Sequence, residues 1–360
     1  MSRKREKRAS KPNSKRASKP TSRAPQKAAA PQPAARWWRT PRGIVGVIAA
    51  AVVGIGAVFF AVRATQSQPA LPAFYRQGSV TNCNTVQPPF SRALGFGQNV
   101  VFDTRANVVN GIILHEVDAQ GNILRSHQDE SWTMGGYLGR PVLDASSNVY
   151  VVPIPAINML SNPIERANTI YRIDAQTGVM SPYLDLPGGA PANEENPYGL
   201  LALNYDCETN SLYASSVFGS SRAMQAGRIY QINLTTGEVQ SQLNDVDAFG
   251  VGVFNTAFGK RLYFGLARLP RILSVSLDAQ GNIGGDVRLE FALDAFGVNT
   301  DQRVRAIRFF GADRMQLRTV QFSFNLIAPT ELRESLLEYV YDAQTDSWQL
   351  EASSVGSAGV

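Results

Sequence analysis

The pattern of apolar and polar positions divides the 360-residue chain into three parts. Residues 1–42 contain no leucine, isoleucine or valine, and residues 43–62 contain neither a charge nor a proline. The remainder alternates between short apolar runs and turn residues. About 20 apolar residues suffice to cross a bilayer as a helix. The pattern therefore predicts a disordered tail, one transmembrane helix and a globular β domain.

Charge gives the expected orientation of the predicted helix. Residues 1–42 carry fourteen lysines and arginines and one acid, a net charge of +13, which leaves −7 for the rest of the chain. Basic residues mark the cytoplasmic side of a span and attract anionic lipid headgroups. We expect a single-pass signal anchor in the plasma membrane, with the N-terminus cytoplasmic and the C-terminal domain extracytoplasmic. A cleaved signal peptide is the alternative, which the length of the apolar run disfavours.

A hairpin motif recurs five times after residue 90. Its turn reads Asp-Ala-Gln or a variant, and the copies, which lie 45 to 64 residues apart, begin at Asp118, Asp174, Asn233, Asp278 and Asp342. An aromatic residue followed closely by glycine precedes the first strand of every unit. Four strands per unit at such a period predict a β-propeller, with blades beginning near residues 92, 137, 198, 249 and 296. A sixth blade is the alternative, if residues 73–91 and the C-terminal tail complete one.

These features predict five segments. They are a basic cytoplasmic tail (1–42), the transmembrane anchor (43–62), a linker and lead-in (63–90), an all-β five-bladed propeller (91–353) and a flexible C-terminus (354–360). The outer domain is acidic, so we expect no nucleic-acid partner for it.

The third unit resembles a known repeat. Residues 198–214 read Tyr-Gly-Leu-Leu-Ala-Leu-Asn-Tyr-Asp-Cys-Glu-Thr-Asn-Ser-Leu-Tyr-Ala, which is similar to the repeats of NHL, YVTN and gluconolactonase-like propellers. Residues 139–151 are similar to quinoprotein-type blades. The resemblance covers about residues 90–350 and implies the fold, which hosts binding modules and enzymes alike.

Gluconolactonase-like enzymes hold a divalent metal at the mouth of the channel with carboxylates and an asparagine. The residues that the repeat places at that mouth, with the oxygen ligands that Ca²⁺ or another hard cation prefers, are Glu195, Asp247, Asp294, Asn299 and Asp301. Alternatively, an aspartate before an aromatic-glycine pair is a turn residue at a blade junction. No other cofactor is assigned.

Arginines suggest a second kind of site. Arg303, Arg305 and Arg308 cluster at the start of the last unit, and with Arg140 they are candidates for the lining of an anion-binding channel. A solvated basic face is the alternative interpretation.

The cysteines and histidines complete the candidates. Cys83 and Cys207 are the only cysteines, and in an oxidising compartment they are expected to form a disulfide, with two free thiols as the alternative. His115 is expected within a strand and His127 in a loop. No nucleophile elbow is present, so no catalytic residue is assigned.

Three functions follow from these features. The first is a membrane-tethered, extracytoplasmic propeller that binds a small ligand or a protein and is not an enzyme. The alternative is a metal-dependent hydrolase or lactonase acting at the channel mouth. The third is a component of envelope assembly.

Overall fold

The computed structural model describes residues 75–80, 86–105, 110–156, 158–193, 195–326 and 333–357. The predicted tail, the predicted span at 43–62 and Cys83 lie outside these residues. Within them, none of the helices combines the length and the apolar character that crossing a membrane requires.

Five antiparallel sheets confirm the predicted five-bladed propeller. The first holds β2 (Val100–Asp103), β3 (Ile113–Val117) and β4 (Ile123–His127), after the short strand β1 (Gly78–Ser79) and helix α1 (Pro89–Ala93). The second holds β5 (Val142–Leu143), β6 (Val149–Val151), β7 (Thr169–Ile173) and β8 (Met180–Asp185), and the third β9 (Leu200–Asp206), β10 (Ser211–Ser216), β11 (Arg228–Asn233) and β12 (Glu238–Asn244). The fourth holds β13 (Ala248–Thr256), β14 (Gly259–Leu266), β15 (Arg271–Ser276) and β16 (Arg288–Ala292), and the fifth β17 (Gln302–Phe310), β18 (Arg314–Gln321), β19 (Arg333–Asp342) and β20 (Ser347–Ser357). Short 3-10 helices lie at Glu130–Thr133, Ile164–Arg166 and Asp294–Phe296.

The Asp-Ala-Gln turn joins the last two strands of every sheet. Asp118 Oδ1 accepts the backbone N–H groups of Gln120 at 2.9 Å and Asn122 at 2.8 Å. Asp278 accepts the equivalent pair at the same distances in the fourth sheet. The recurring aspartate thus satisfies backbone donors that the tight turn leaves without a strand partner.

These turns make the free energy of unfolding depend on pH in the acidic range. Hydrogen bonds from Asn122 lower the pKa of Asp118, and backbone N–H groups of their turns lower the pKa values of Asp174 and Asp342. Their contribution is complete above the unfolded pKa, near 4, and is lost as the pH falls through the lower folded values. We expect the free energy of unfolding to fall as the pH drops below about 4, and Asp118→Asn to make that fall shallower. Urea unfolding at successive pH values measures this, and identical slopes would contradict it.

The first strands of the other four sheets contact one another around the central axis, in the pairs β5 with β9, β9 with β13 and β13 with β17. The first sheet differs, because its three strands end with the Asp-Ala-Gln turn between β3 and β4. Its strands therefore correspond to the second, third and fourth strands of the others. The prediction of four strands in this unit is wrong for the described residues, and the innermost strand is the one that is missing.

The aromatic-glycine pair explains this error. Phe96 and Gly97 precede β2, as the other copies precede an inner strand. However, the Phe96 amide bonds to the Ser91 carbonyl at 2.9 Å, and the Arg125 guanidinium covers the Phe96 ring at 3.9 Å. In this copy the pair closes the turn after α1 and does not introduce an inner strand.

Apolar clusters join consecutive sheets. Trp132 is buried between the first and second sheets, Tyr205 between the second and third, Phe264 between the third and fourth, and Phe309 between the fourth and fifth. Among the described residues, no cluster contains side chains of both the first and the fifth sheet. The described ring thus has four apolar interfaces where a closed five-bladed ring needs five.

The described residues of the lead-in, 75–80 and 86–90, lie at the end of the propeller that carries the turns between first and second strands. Strand β1 pairs with the end of β13, and the Ser79 amide bonds to the Gly311 carbonyl of the fifth sheet at 2.8 Å. Farther along, the Val86 carbonyl accepts the Ser147 hydroxyl of the second sheet at 3.0 Å. The lead-in therefore ties several sheets together, and β1 joins the fourth sheet instead of beginning a sixth.

A buried ionic network lies beneath the lead-in. Lys260, the only lysine after residue 27, places Nζ 2.6 Å from Asp206 Oδ2 and 2.8 Å from Glu208 Oε2. Asp206 is fully buried and Lys260 is 9% exposed. The Asn255 amide donates to both Glu208 and the Arg76 carbonyl, so the network also holds the lead-in in place.

Cys207 lies in the same turn, between Asp206 and Glu208. It is disulfide-bonded. Because Cys83 lies outside the described residues, the Cys83–Cys207 pairing stays a prediction.

Candidate anion-binding site

The predicted metal ligands are dispersed. Glu195, Asp294 and Asn299 are exposed in the segments that precede inner strands, Asp294 at the start of a 3-10 helix. Asp301 Oδ2 accepts hydrogen bonds from Gln321 Nε2 at 2.7 Å and Arg333 Nη2 at 3.0 Å. In the described part of the chain, no three His, Cys, Asp or Glu side chains come together where they could hold a cation. Glu195, Asp247 and Asp294 therefore do not converge as ligands of one ion would.

Asp247 instead holds a blade junction. It is 1% exposed and accepts hydrogen bonds from the Ser220 hydroxyl, the Gly227 amide and Arg268 Nε. Arg268 in turn donates to backbone carbonyls of the loop that follows β10. The hydrogen bonds of this carboxylate come from protein donors that hold the junction together, which fits the turn-residue interpretation.

Arg303 also has a structural role. Its Nε donates to the Ala267 carbonyl at 2.9 Å, and Nη2 donates to the Arg268 carbonyl at 2.8 Å. Nη1 donates to the Thr300 carbonyl at 2.6 Å. The guanidinium thus satisfies the acceptors of two loops, and only its remaining surface borders the pocket described below.

The other predicted arginines lie together with one that the sequence did not single out. Arg305 is the bulge residue of β17, where the pairing with β18 shifts between Val304 and Ala306. Arg308 lies on the same strand, and Arg318 pairs with Ala306 from β18. Ile307 and Phe309 pack against the fourth sheet, so strand alternation turns Arg308 the other way.

Arg140 joins this group from the second sheet, two residues before β5. The charges of Arg308 and Arg318 act on Arg140, and the charge of Arg318 also acts on Arg305. We call Arg140, Arg305 and Arg308 the arginine cluster, with Arg318 at its border.

Burial is the main cause that lowers the pKa values of Arg140 and Arg305. Both residues are nonetheless exposed to solvent. At Arg140, repulsion from Arg308 and Arg318 adds to the shift. At Arg305, attraction by Glu334 opposes the shift and Arg318 adds to it. The site therefore carries positive charge that the folded chain does not fully compensate.

Pairing within the fifth sheet sharpens this imbalance. Arg318 Nε donates to Glu334 at 2.8 Å, and Gln316 donates to Glu338 at 2.9 Å. Arg308 lies 5.1 Å from the centre of the Phe310 ring. Within the described ranges, no ion pair or hydrogen bond engages the guanidinium groups of the arginine cluster.

A pocket of about 250 Å³ opens at the opposite end of the propeller from the lead-in. It is lined by Arg222, Ala267, Arg268, Arg303, Phe322, Ser323 and Phe324. Phe322 also borders a smaller cavity of about 70 Å³, which reaches Arg305 past Tyr198 and Phe249. The Tyr198 and Phe249 rings lie 5.3 and 4.8 Å from that of Phe322. This aromatic group lies between the residues that line the pocket and Arg305.

The two histidines lie elsewhere. His115 is in β3, with Nδ1 2.7 Å from Ser126 Oγ and Nε2 3.5 Å from Asp103 Oδ2. Arg105 donates to the Asp103 carboxylate through both Nε and Nη2, so this carboxylate does not orient the imidazole. The expectation that His127 lies in a loop is wrong, because it ends β4 and its ring packs 5.4 Å from that of Trp132.

Sequence reasoning missed three arginines of these sites. Arg318 lies across from Ala306, beside the predicted Arg305, in a register that includes a bulge and that the sequence alone does not specify. Arg222 and Arg268 lie on loops that carry no repeated motif. No sequence pattern predicts that these two loops fold toward Phe324.

Comparisons with known proteins show likeness only in structure. Neither a protein-family model nor a curated protein matches the chain. A luciferin-regenerating enzyme matches at 10% identity over 71% of this chain and 72% of its own, with a TM-score of 0.42. An endo-arabinase from Bacteroides thetaiotaomicron matches at 12% over 59% and 78% with a TM-score of 0.36, and hydrazine synthase from Kuenenia stuttgartiensis at 9% over 72% and 82% with 0.40. These likenesses concern the fold alone.

Proposed function

We propose that this protein is a membrane-tethered, extracytoplasmic propeller that binds an anionic ligand at its arginine cluster. The observation that carries the proposal is that Arg140, Arg305 and Arg308 have no ion-pair partner in the described residues, while Arg308 lies close enough for its charge to act on Arg140. Like charges at a short distance repel one another. An anion relieves that repulsion and accepts charge-assisted hydrogen bonds, which guanidinium groups donate in pairs.

The membrane tether rests on the sequence. Residues 43–62 have the length and composition of a span, and the +13 tail suits the anionic headgroups of the cytoplasmic leaflet. The disulfide at Cys207 suits an oxidising compartment outside the cytoplasm. Strand β1, the first described strand, pairs at the end of the propeller opposite to the pocket.

A metal-dependent hydrolase or lactonase finds no support in this geometry. Its proposed centre needed several carboxylates around one cation, and Asp247 is instead committed to Ser220, Gly227 and Arg268. Binding therefore fits the arrangement better than metal-assisted hydrolysis.

Calorimetric titration of the full-length chain with citrate and with inorganic phosphate tests the proposal. Removing one charged hydrogen bond costs about 1.5–3 kcal/mol, roughly a factor of ten or more in affinity. We expect the triple variant Arg140→Gln, Arg305→Gln, Arg308→Gln to bind at least tenfold more weakly. Arg271→Gln, at an exposed arginine of the fourth sheet, is the matched control. Equal affinities of the triple variant and the wild-type protein would refute the site.

A further inference from the structure

The free edge of β2 is unusual in this propeller. The strands at the equivalent position of the other sheets, β6, β10, β14 and β18, pair on both sides. Strand β2 pairs with β3 alone among the described residues. We call the position beside β2 that no described residue fills, and where the other sheets carry an inner strand, the inner slot.

The walls of the inner slot come from the sheets on either side. Val100 and Phe102 of β2 pack toward the second sheet, so Val101, 46% exposed, turns toward the fifth. On the fifth sheet, Arg308 and Phe310, which is 39% exposed, turn away from the fourth. The slot thus lies between a free strand edge, two exposed apolar side chains and the arginine cluster.

The positive charge beside the inner slot indicates that its occupant is acidic. The stretches of this chain outside the described residues hold no more than one acidic residue each, and residues 63–74, 81–85 and 106–109 hold none. The N-terminal tail is strongly basic. The chain therefore has no undescribed segment that complements the arginines, and a partner must supply the negative charge.

We infer that an extended acidic segment of a partner protein fills the inner slot and supplies the missing inner strand of the first sheet. An added strand pairs its backbone with the free edge and presents side chains alternately to both sides. Acidic side chains on one side meet Arg305 and Arg308, and those on the other side meet Arg140. This inference rests on the proposed anion-binding function and adds the requirement for backbone pairing.

Three capped peptides of seven residues separate charge from strand pairing, with the full-length chain as receptor. The first has the sequence Val-Glu-Glu-Val-Glu-Glu-Val. The second is the same peptide with alternate backbone nitrogens methylated, which keeps the charge and removes donors. The third has lysine in place of glutamate. We expect the first peptide to bind, the second to bind at least tenfold more weakly and the third not to bind. Backbone amide exchange in Val100–Asp103 should slow when the first peptide binds.

The outcomes distinguish this inference from the function on which it rests. If the first and second peptides bind equally, or if citrate binds through the arginine cluster and the first peptide does not, strand addition is overturned and anion binding stands. If neither citrate nor any peptide binds, both proposals fail. Unchanged amide exchange in Val100–Asp103 with the first peptide bound would also overturn strand addition.

Discussion

Replacing Lys260 by methionine is expected to lower the free energy of unfolding by about 3–5 kcal/mol. The substitution keeps an apolar stem of similar length and removes the charge that lies 2.6 Å from the fully buried Asp206 carboxylate. Asp206 would keep only neutral donors, among them the Thr209 hydroxyl at 2.9 Å. Urea unfolding followed by the fluorescence of the buried Trp132 and Trp348 measures the loss.

The double variant Lys260→Met, Asp206→Asn is the control for this result. Removing both charges removes the uncompensated carboxylate, and Glu208 is 47% exposed and can be hydrated. The double variant should therefore be more stable than the sum of the single effects predicts. A Lys260→Met protein within about 1 kcal/mol of the wild type would show that the network contributes little.

Asp247→Ala is expected to cost about 3 kcal/mol, because the buried Gly227 amide and the Arg268 guanidinium lose the charged acceptor that they share. The same unfolding experiment measures this effect. Asp294→Ala is the matched control, since both aspartates stand before Ala-Phe-Gly-Val in the sequence. Asp294 is exposed, so its replacement should change stability by no more than about 0.5 kcal/mol.

The two variants also separate structure from metal binding. If both aspartates were ligands of one cation, both substitutions would lower its affinity in the folded protein by comparable factors. Equal small stability losses together with a shared loss of bound metal would contradict the structural role of Asp247.

Much of the fold was predictable because the repeat is local. The Asp-Ala-Gln turn is stabilised within five residues, as the bonds of Asp118 to Gln120 and Asn122 show. A motif whose hydrogen bonds lie within the motif forms the same turn in every copy. Counting it gave the correct number of blades and the position of the last two strands in each.

Prediction ended where tertiary neighbours decide. Asp247 and Asp294 share their local sequence, yet only Asp247 meets Ser220 and Arg268 from other loops. The missing inner strand escaped prediction for the same reason, because Phe96 and Gly97 match the repeat while their neighbours do not. Arg303 donates its hydrogen bonds to backbone carbonyls of neighbouring loops. The sequence does not predict that these loops lie next to Arg303.

The lead-in has a consequence for the order of folding. The Arg76 carbonyl accepts a hydrogen bond from the Asn255 side chain, which lies 179 residues later in the chain. The Gln77 side-chain amide donates to the Ala312 carbonyl, 235 residues later. Contacts at such separation form late, because the intervening chain must first be made and brought close. The lead-in is thus the part of the propeller that is synthesised first and the part that docks last.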